Sequence, residues 1–456
     1  MGLRLSIVFS TCALMCAVVV ALPAGAESTR ERRGADAWLT YGQNDQLTNN
    51  LDERMDGSSL KVAWQAHLDG KIWGSALYTR GRVYAATAAG SVYAVDAATG
   101  QQLWRRPLGA VQHFLDDCGS WGITSTPAID PQRNLLYAIG GDGLLHALDL
   151  DDGAEAAGFP IRLTDRPAVE YVWGALRVID GKLYAGIASY CDQKGTPDQE
   201  ADGRVIALDL DTGEISSLDM VPGPGNLGGV WGYGGISTDG TYLYTGVGNA
   251  DSPEGEGAGY GDQLVQFTTD LDVIAANRPP QVKTEGDFDF GASPVLFRPA
   301  GCPAFAAANN KIGSAFVWRT DDIAAGPVST LPIADGSPFL GAPAWSSQLG
   351  LLVFSAAKAS ATSSGAGVAA YSVDDKCSFK RAWATPTGAG VQPPPIVVGT
   401  LVFTSAGSGG IYALDGKNGH VVWHQATETS ASAPLSAGDR RVYAPVGSTL
   451  EAIASG

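Results

Sequence analysis

The sequence predicts an all-β fold: an eight-bladed β-propeller of four-stranded blades, closed by an N-terminal strand. Three observations carry this expectation. Glycine is abundant, at 59 of 456 residues, and only 17% of residues are charged, which suits short strands and many turns. A unit of strand, glycine turn, strand, hairpin and strand stands out at 83–104, VYAATAAGSVYAVDAATGQQLW, and returns at 401–423, LVFTSAGSGGIYALDGKNGHVVW. The third strand of that unit recurs eight times along the chain. Stacked repeats contact only their neighbours, so such a ring escapes the usual size limit of one domain.

In chain order, the first element is a secretory signal. Arg4 supplies the positive end, 5–22 is almost wholly apolar, and Ala24-Gly25-Ala26 is an A-x-A cleavage site. Cleavage is expected near Ala26, with the mature protein secreted or periplasmic. A retained anchor is disfavoured because the apolar run is short and ends in Pro23. Lipid attachment at Cys16 is disfavoured by the bulky Leu14-Met15 before it. No later run is long and apolar enough to span a bilayer. Residues 27–60 are polar and are expected to form an irregular arm over the surface; 61–456 are assigned to the propeller. The balance of 30 basic against 47 acidic residues, a net charge of −17, argues against nucleic acid and anionic membranes as partners. A monomer is expected.

Each blade is expected to have strands A to D from the channel outward. Strand C is read at 92–96, 144–149, 205–209, 264–268, 315–318, 368–373, 411–415 and 450–454. Strand A is placed to start near Trp73, Trp121, Trp173, Trp231, Asp289, Phe339, Gly390 and Glu428. The last copy ends without a fourth strand, and 61–64 (KVAW) has the signature of one without a blade of its own. Adding it to the last blade closes the ring and removes the exposed sheet edges.

In a propeller the D–A and B–C loops share one face, here called the top, and the A–B and C–D loops share the other. Two of the six cysteines, Cys12 and Cys16, lie in the signal. Cys118 and Cys191 fall on the top of neighbouring blades, and Cys302 and Cys377 on the bottom of neighbouring blades. Only the pairing Cys118–Cys191 with Cys302–Cys377 keeps each bridge on one face, and an oxidising compartment favours both. No C-x-x-C-H occurs, so no covalent haem is expected.

The stretch 231–249, WGYGGISTDGTYLYTGVGN, joins a Trp-Gly, two short strands around an Asp-Gly turn, and a closing Gly-Asn. It resembles a segment of the pyrroloquinoline quinone (PQQ) dehydrogenases, and the V-Y-A-x-D-x-x-T-G-x-x-x-W repeats resemble that superfamily over nearly the whole mature chain. The resemblance implies a quinone stacked on Trp231 and Ca²⁺ held by Asn249. Gly286-Asp287-Phe288-Asp289 resembles the family's W-D-Y-D segment, which makes Asp287 the catalytic base and a metal ligand, and Asp289 a further ligand. Asn309-Asn310-Lys311-Ile312-Gly313 resembles a turn whose basic residue reaches the quinone carbonyls, here Lys311. The family's acidic ligand in blade 3 falls near Asp198 by spacing and at Glu200 by residue type. The family's adjacent Cys-Cys pair is missing; Asp117-Cys118 stands near its place.

Each residue also has a plainer reading. Trp-Gly recurs at Trp73, Trp121, Trp173 and Trp231, as an aromatic collar around the channel mouth would require. Asn249 can hold a left-handed turn, Asp287 and Asp289 can cap turns, and Lys311 can be solvated. DLDDG at 149–153 and DLDTG at 209–213 look like calcium loops but sit at C–D hairpins and are read as turns. The loop 250–261 is read as a cover for the top face, with Ser252 a turn residue. Of the five histidines only His113 is expected near the channel on top, and no nucleophile elbow or H-E-x-x-H occurs. Two functions remain open. One is an exported PQQ- and Ca²⁺-dependent dehydrogenase acting on an alcohol, polyol or sugar, with a separate electron carrier. The other is a non-catalytic scaffold binding a protein or glycan on the top face.

Overall fold

The computed structural model describes residues 1–2, 37–109, 112–113, 120–189, 201–223, 226–250, 259–283, 288, 290–333, 341–356, 367–387 and 393–456, without the side chains of 112, 113, 120 and 356. Eight four-stranded antiparallel blades follow one another around a ring, the third and seventh each extended by a short fifth strand. Blade 1 is Leu77–Thr79 (A), Arg82–Ala86 (B), Ser91–Asp96 (C) and Gln102–Pro107 (D). Blades 2 to 7 repeat this order, with strand C at Leu144–Asp149, Arg204–Asp209, Leu264–Phe267, Ser314–Arg319, Gly367–Val373 and Ile411–Asp415. These match the expected positions to within a residue at either end. Strands A to C of blade 1 are buried along nearly their whole length, whereas Gln102–Pro107 buries only Trp104. That gradient explains the apolar runs: inner strands are covered on both faces by neighbouring blades, and outer strands on one.

The same gradient explains the Asp…Gly…Trp repeat. Asp96 accepts from the backbone N–H of Ala98 and Thr99 and so closes the C–D turn. Gly100, at φ +72°, lies flat on the indole of Trp64 from the preceding blade, where any Cβ would sit 2.6 Å from the ring. Trp64 Nε1 donates to Ala97 O in that turn. Trp104 repeats the bond to Leu150 O and Trp383 to Gly416 O, each one blade further on. The outer Trp of one blade is therefore fastened to the turn of the next. Asp209 likewise accepts from Asp211 and Thr212 N–H, so the DLDTG sequence is a turn, as expected.

Blade 8 closes as anticipated. Leu60–His67 pairs antiparallel with Thr449–Ser455, Lys61 opposite Ala454 and Trp64 opposite Ala452, with a bulge between Val62 and Trp64. Two expectations need correction. Strand A begins later than placed, at Leu77, Ala128, Arg177, Ser237, Val295, Ala344, Ile396 and Ser436. Of the residues taken as its start, Trp73, Trp173, Trp231 and Glu428 lie in the connections leading into it and Trp121 in a separate two-residue strand, while Asp289, Phe339 and Gly390 lie outside the described residues.

Residues 38–51 of the arm do not lie over the surface either. Trp38, Tyr41 and Leu47 are fully buried. From Trp38 onward the chain follows the inner edges of the blades in order. Its backbone exchanges hydrogen bonds with Tyr78 of blade 1, accepts from Ile129 of blade 2, and both accepts from Thr238 of blade 4 and receives the N–H of Leu296 of blade 5. Trp345 and Val397 then donate to Thr48 and Asn49. Asn50–Leu51 finally pairs parallel with Ile396–Val398. In blade 3 the partner is a side chain. Arg177 is buried and donates to Tyr41 O (3.1 Å), Asn44 O (3.0 Å) and Asp45 Oδ1 (3.1 Å). Burial lowers its pKa to about 10, and the guanidinium stays charged at neutral pH. The inner strand edges carry N–H and C=O groups that must be paired. This segment pairs them, and its polar composition reflects that work and not exposure. Arg177→Met should lower stability by about 1–3 kcal/mol in denaturant unfolding, because the carbonyls of Tyr41 and Asn44 lose their donor; a loss below about 0.5 kcal/mol would contradict this role.

The bottom face carries the disulfide Cys302–Cys377, with Cα atoms 5.6 Å apart, between the A–B loop of blade 5 and the C–D turn of blade 6. This is one of the two expected pairs; Cys118 and Cys191 lie outside the described residues. The bridge spans a sequence separation of 75, for which the chain-entropy treatment gives up to ~4 kcal/mol. The double change Cys302→Ser, Cys377→Ser is expected to lower the melting temperature, measured beside the oxidised and reduced parent.

Candidate functional site

The top-face loops converge on the channel mouth. Trp73, Trp121, Trp173 and Trp231 stand four to seven residues ahead of strand A in the first four blades, each partly exposed. The first three do not stand apart as a collar of equivalent rings. Trp73 meets Trp121 at 5.0 Å between centroids and Trp173 at 5.6 Å, tilted by 67° and 50°. Trp173 continues to Tyr171 and Tyr233. Beneath this layer Tyr233 packs with Tyr41, Leu47, Ala175 and Ala342, so the arm described above forms the floor of the mouth. Burial raises the Tyr233 phenol to about 12, which keeps it a neutral donor.

Trp231 belongs to a different grouping. Lys311 Nζ lies 4.6 Å from the centre of its ring. Gly291 packs against the same ring, where a Cβ would sit 2.5 Å away. Lys311 is held there by its own hairpin between strands B (Phe305–Asn310) and C (Ser314–Arg319) of blade 5. Asn310 Oδ1 accepts from Ile312 N–H at 3.0 Å, and Gly313 takes φ +88°. Asn310 Nδ2 donates to Phe288 O at 2.7 Å, tying the hairpin to the segment on either side of which Asp287 and Asp289 fall. Three of the four expected segments therefore meet at one place.

Asn249 follows Leu243–Gly246, is half-buried, and receives the Gly228 N–H on its carbonyl at 2.9 Å. It is not among the residues with positive φ, so the left-handed turn reading does not hold. Asp287, Asp289, Asp198, Glu200 and Ser252 lie outside the described residues, as does the His113 side chain. Among the described residues no group of three or more His, Cys, Asp or Glu is placed to hold a metal ion.

Sequence reasoning passed over three features. Asn309 is buried and donates to Gly341 O at 2.9 Å, while its Oδ1 has no hydrogen-bond partner among the described residues. Glu170 is buried between Arg166 and Arg204, and Arg166 also reaches Asp202 at 2.6 Å. Asp202 and Arg204 follow directly on the segment that carries Glu200. Lys71 lies over the Trp73 ring, 3.3 Å from its centre. A Lys two residues before the Trp of a Trp-Gly loop was the available signal.

A ring of eight such blades with an indole and an ammonium paired at its mouth is built as a PQQ-type propeller. The family model PQQ_2, described as outer membrane protein assembly factor BamB, matches residues 54–190 and 340–455, more than half of the chain, and the protein belongs to this family. It is similar to a polyvinylalcohol dehydrogenase of Pseudomonas sp, 24% identical over 303 residues, covering 59% of this chain and 46% of that protein. It is also similar to the quinohemoprotein alcohol dehydrogenase ADH IIB of Pseudomonas putida, 30% identical over 219 residues, covering 45% and 30%. The matches thus span less than half the length of these relatives. Among solved structures, quinohemoprotein alcohol dehydrogenase ADHIIG from Pseudomonas putida HK5 superposes with a TM-score of 0.75 at 16% identity, over 95% of this chain and 82% of that one, a likeness of fold. Among the described residues no helix is long and apolar enough to cross a membrane.

Proposed function

We propose that the protein is an exported quinoprotein dehydrogenase that oxidises an alcohol, polyol or sugar at its top face. The observation that carries this reading is the Lys311 ammonium 4.6 Å from the centre of the Trp231 ring. The two residues come from different blades and are 80 positions apart, yet they meet as a stacking floor and a carbonyl-seeking cation must. The half-exposed ring and the adjacent ammonium fit a flat quinone. Bound there, PQQ would supply the two-electron acceptor for the substrate's hydride. Lys311 would orient a quinone oxygen by donating to it. Asp287 would take the substrate hydroxyl proton. Asn249, with Asp287, Asp289 and Glu200, would hold Ca²⁺. The Tyr41–Tyr233 layer would close the channel below, so that substrate enters and leaves from the top only. Electrons would pass to a separate carrier.

A scaffold that binds a protein or glycan is the second reading. The match to the assembly-factor family favours it, as does the missing Cys-Cys pair. The visible spectrum and bound-metal content after incubation with PQQ and Ca²⁺ separate the two. A quinone absorbance that survives gel filtration, with about one metal ion per chain, is expected; neither would leave the scaffold reading.

A further inference from the structure

The Trp73–Trp121–Trp173 wall and Lys71 are not used by the chemistry above. Lys71 lies in the connection from blade 8 to blade 1, and its carbonyl accepts from Ala88 N–H in the B–C loop of blade 1 at 2.8 Å. Both loops are top-face loops. Its ammonium is half-buried on the Trp73 indole. No carboxylate of the described residues forms an ion pair with it, although the chain carries a net charge of −17. Lys182, by contrast, reaches Asp270 at 2.8 Å. Burial depresses the Lys71 pKa, and no acid among the described residues lies close enough to restore it. A half-desolvated ammonium without a counter-charge is unfavourable in the free protein and favourable once an anion arrives.

The wall beside it supplies the other half of a recognition surface. Three partly exposed indoles tilted against one another offer apolar ring surface, which suits the C–H face of a hydroxylated chain. Trp173 also meets Tyr233, two positions along the same top-face connection from Trp231, the residue that Lys311 approaches. We propose that this wall is a substrate subsite for a carboxylated polyol, a sugar acid, whose carboxylate pairs with Lys71 and whose carbon chain lies along Trp73, Trp121 and Trp173 toward Trp231. The proposal rests on the reading of the top face as a substrate site and narrows that substrate to an anionic one.

The test titrates gluconate and its neutral counterpart sorbitol into the full-length protein, with no quinone added, and follows intrinsic tryptophan fluorescence. Gluconate should bind about tenfold or more tighter than sorbitol, the span of a charge-assisted hydrogen bond. Lys71→Met should erase that preference and Lys71→Arg keep it, while Trp121→Ala should weaken both ligands. Equal binding of the two ligands, no binding of either, or a preference undiminished in a folded Lys71→Met protein would overturn the subsite. Because no quinone is present, failure of PQQ to bind would remove the dehydrogenase reading and leave this result intact.

Discussion

Deleting the chain through His67 should leave no folded ring: no cooperative melting transition, and aggregation in gel filtration where the parent runs as a single species. Two sets of contacts go at once. Leu60–His67 is the fourth strand of blade 8, and its loss exposes the edge of Thr449–Ser455. It also removes Trp64 from the turn of blade 1, which unfastens the two ends of the ring from each other. Residues 38–51 go too, and with them the partners of the inner edges in blade after blade. Each unpaired buried backbone group is worth about 1–3 kcal/mol, and several are lost, against a total stability of about 5–15 kcal/mol. Trp64→Ala provides the graded control. It keeps both segments and removes one buried indole, for about 3–5 kcal/mol. A deletion protein that melts cooperatively at the parent's temperature would show that closure is not made this way.

The second large effect concerns chemistry. In the dehydrogenase reading, Asp287→Ala should lower turnover by at least about 100-fold while the quinone absorbance stays, because a general base is removed and the stacking floor is not. Trp231→Ala should do the reverse and release the quinone, with the loss seen in binding before it is seen in rate. The contrast matters more than either number. A collapse of both readouts in Asp287→Ala would assign that residue to metal or quinone retention. Unchanged turnover would remove it from the site altogether.

The approach of Lys311 to Trp231 shows what can be carried along a sequence and what cannot. The pair was reached through two segments matched separately, one in blade 4 and one in blade 5, and their convergence followed from the propeller's loop rule. The same rule put Cys302 opposite Cys377. Asn309 and Asn310 were passed over although they sit in the matched turn, since an amide's role depends on which carbonyl lies across the gap. Lys71 was passed over because a lysine in a polar loop reads as solvated until an indole is found beneath it.

What the sequence determined by itself was everything set by near neighbours along the chain. Strand alternation, the Asp-to-Gly turns and the outer Trp are local, and counting them was enough for eight blades and for closure by the N-terminal strand. Only the tertiary structure decided the course of the arm. Residues 38–51 bind the inner edges mainly through backbone N–H and C=O groups, and every residue type offers those, so no side-chain pattern records the path. The buried charge that marks it, Arg177, lies about 130 residues away in blade 3 and reads as an ordinary strand charge until its three acceptors are brought to it.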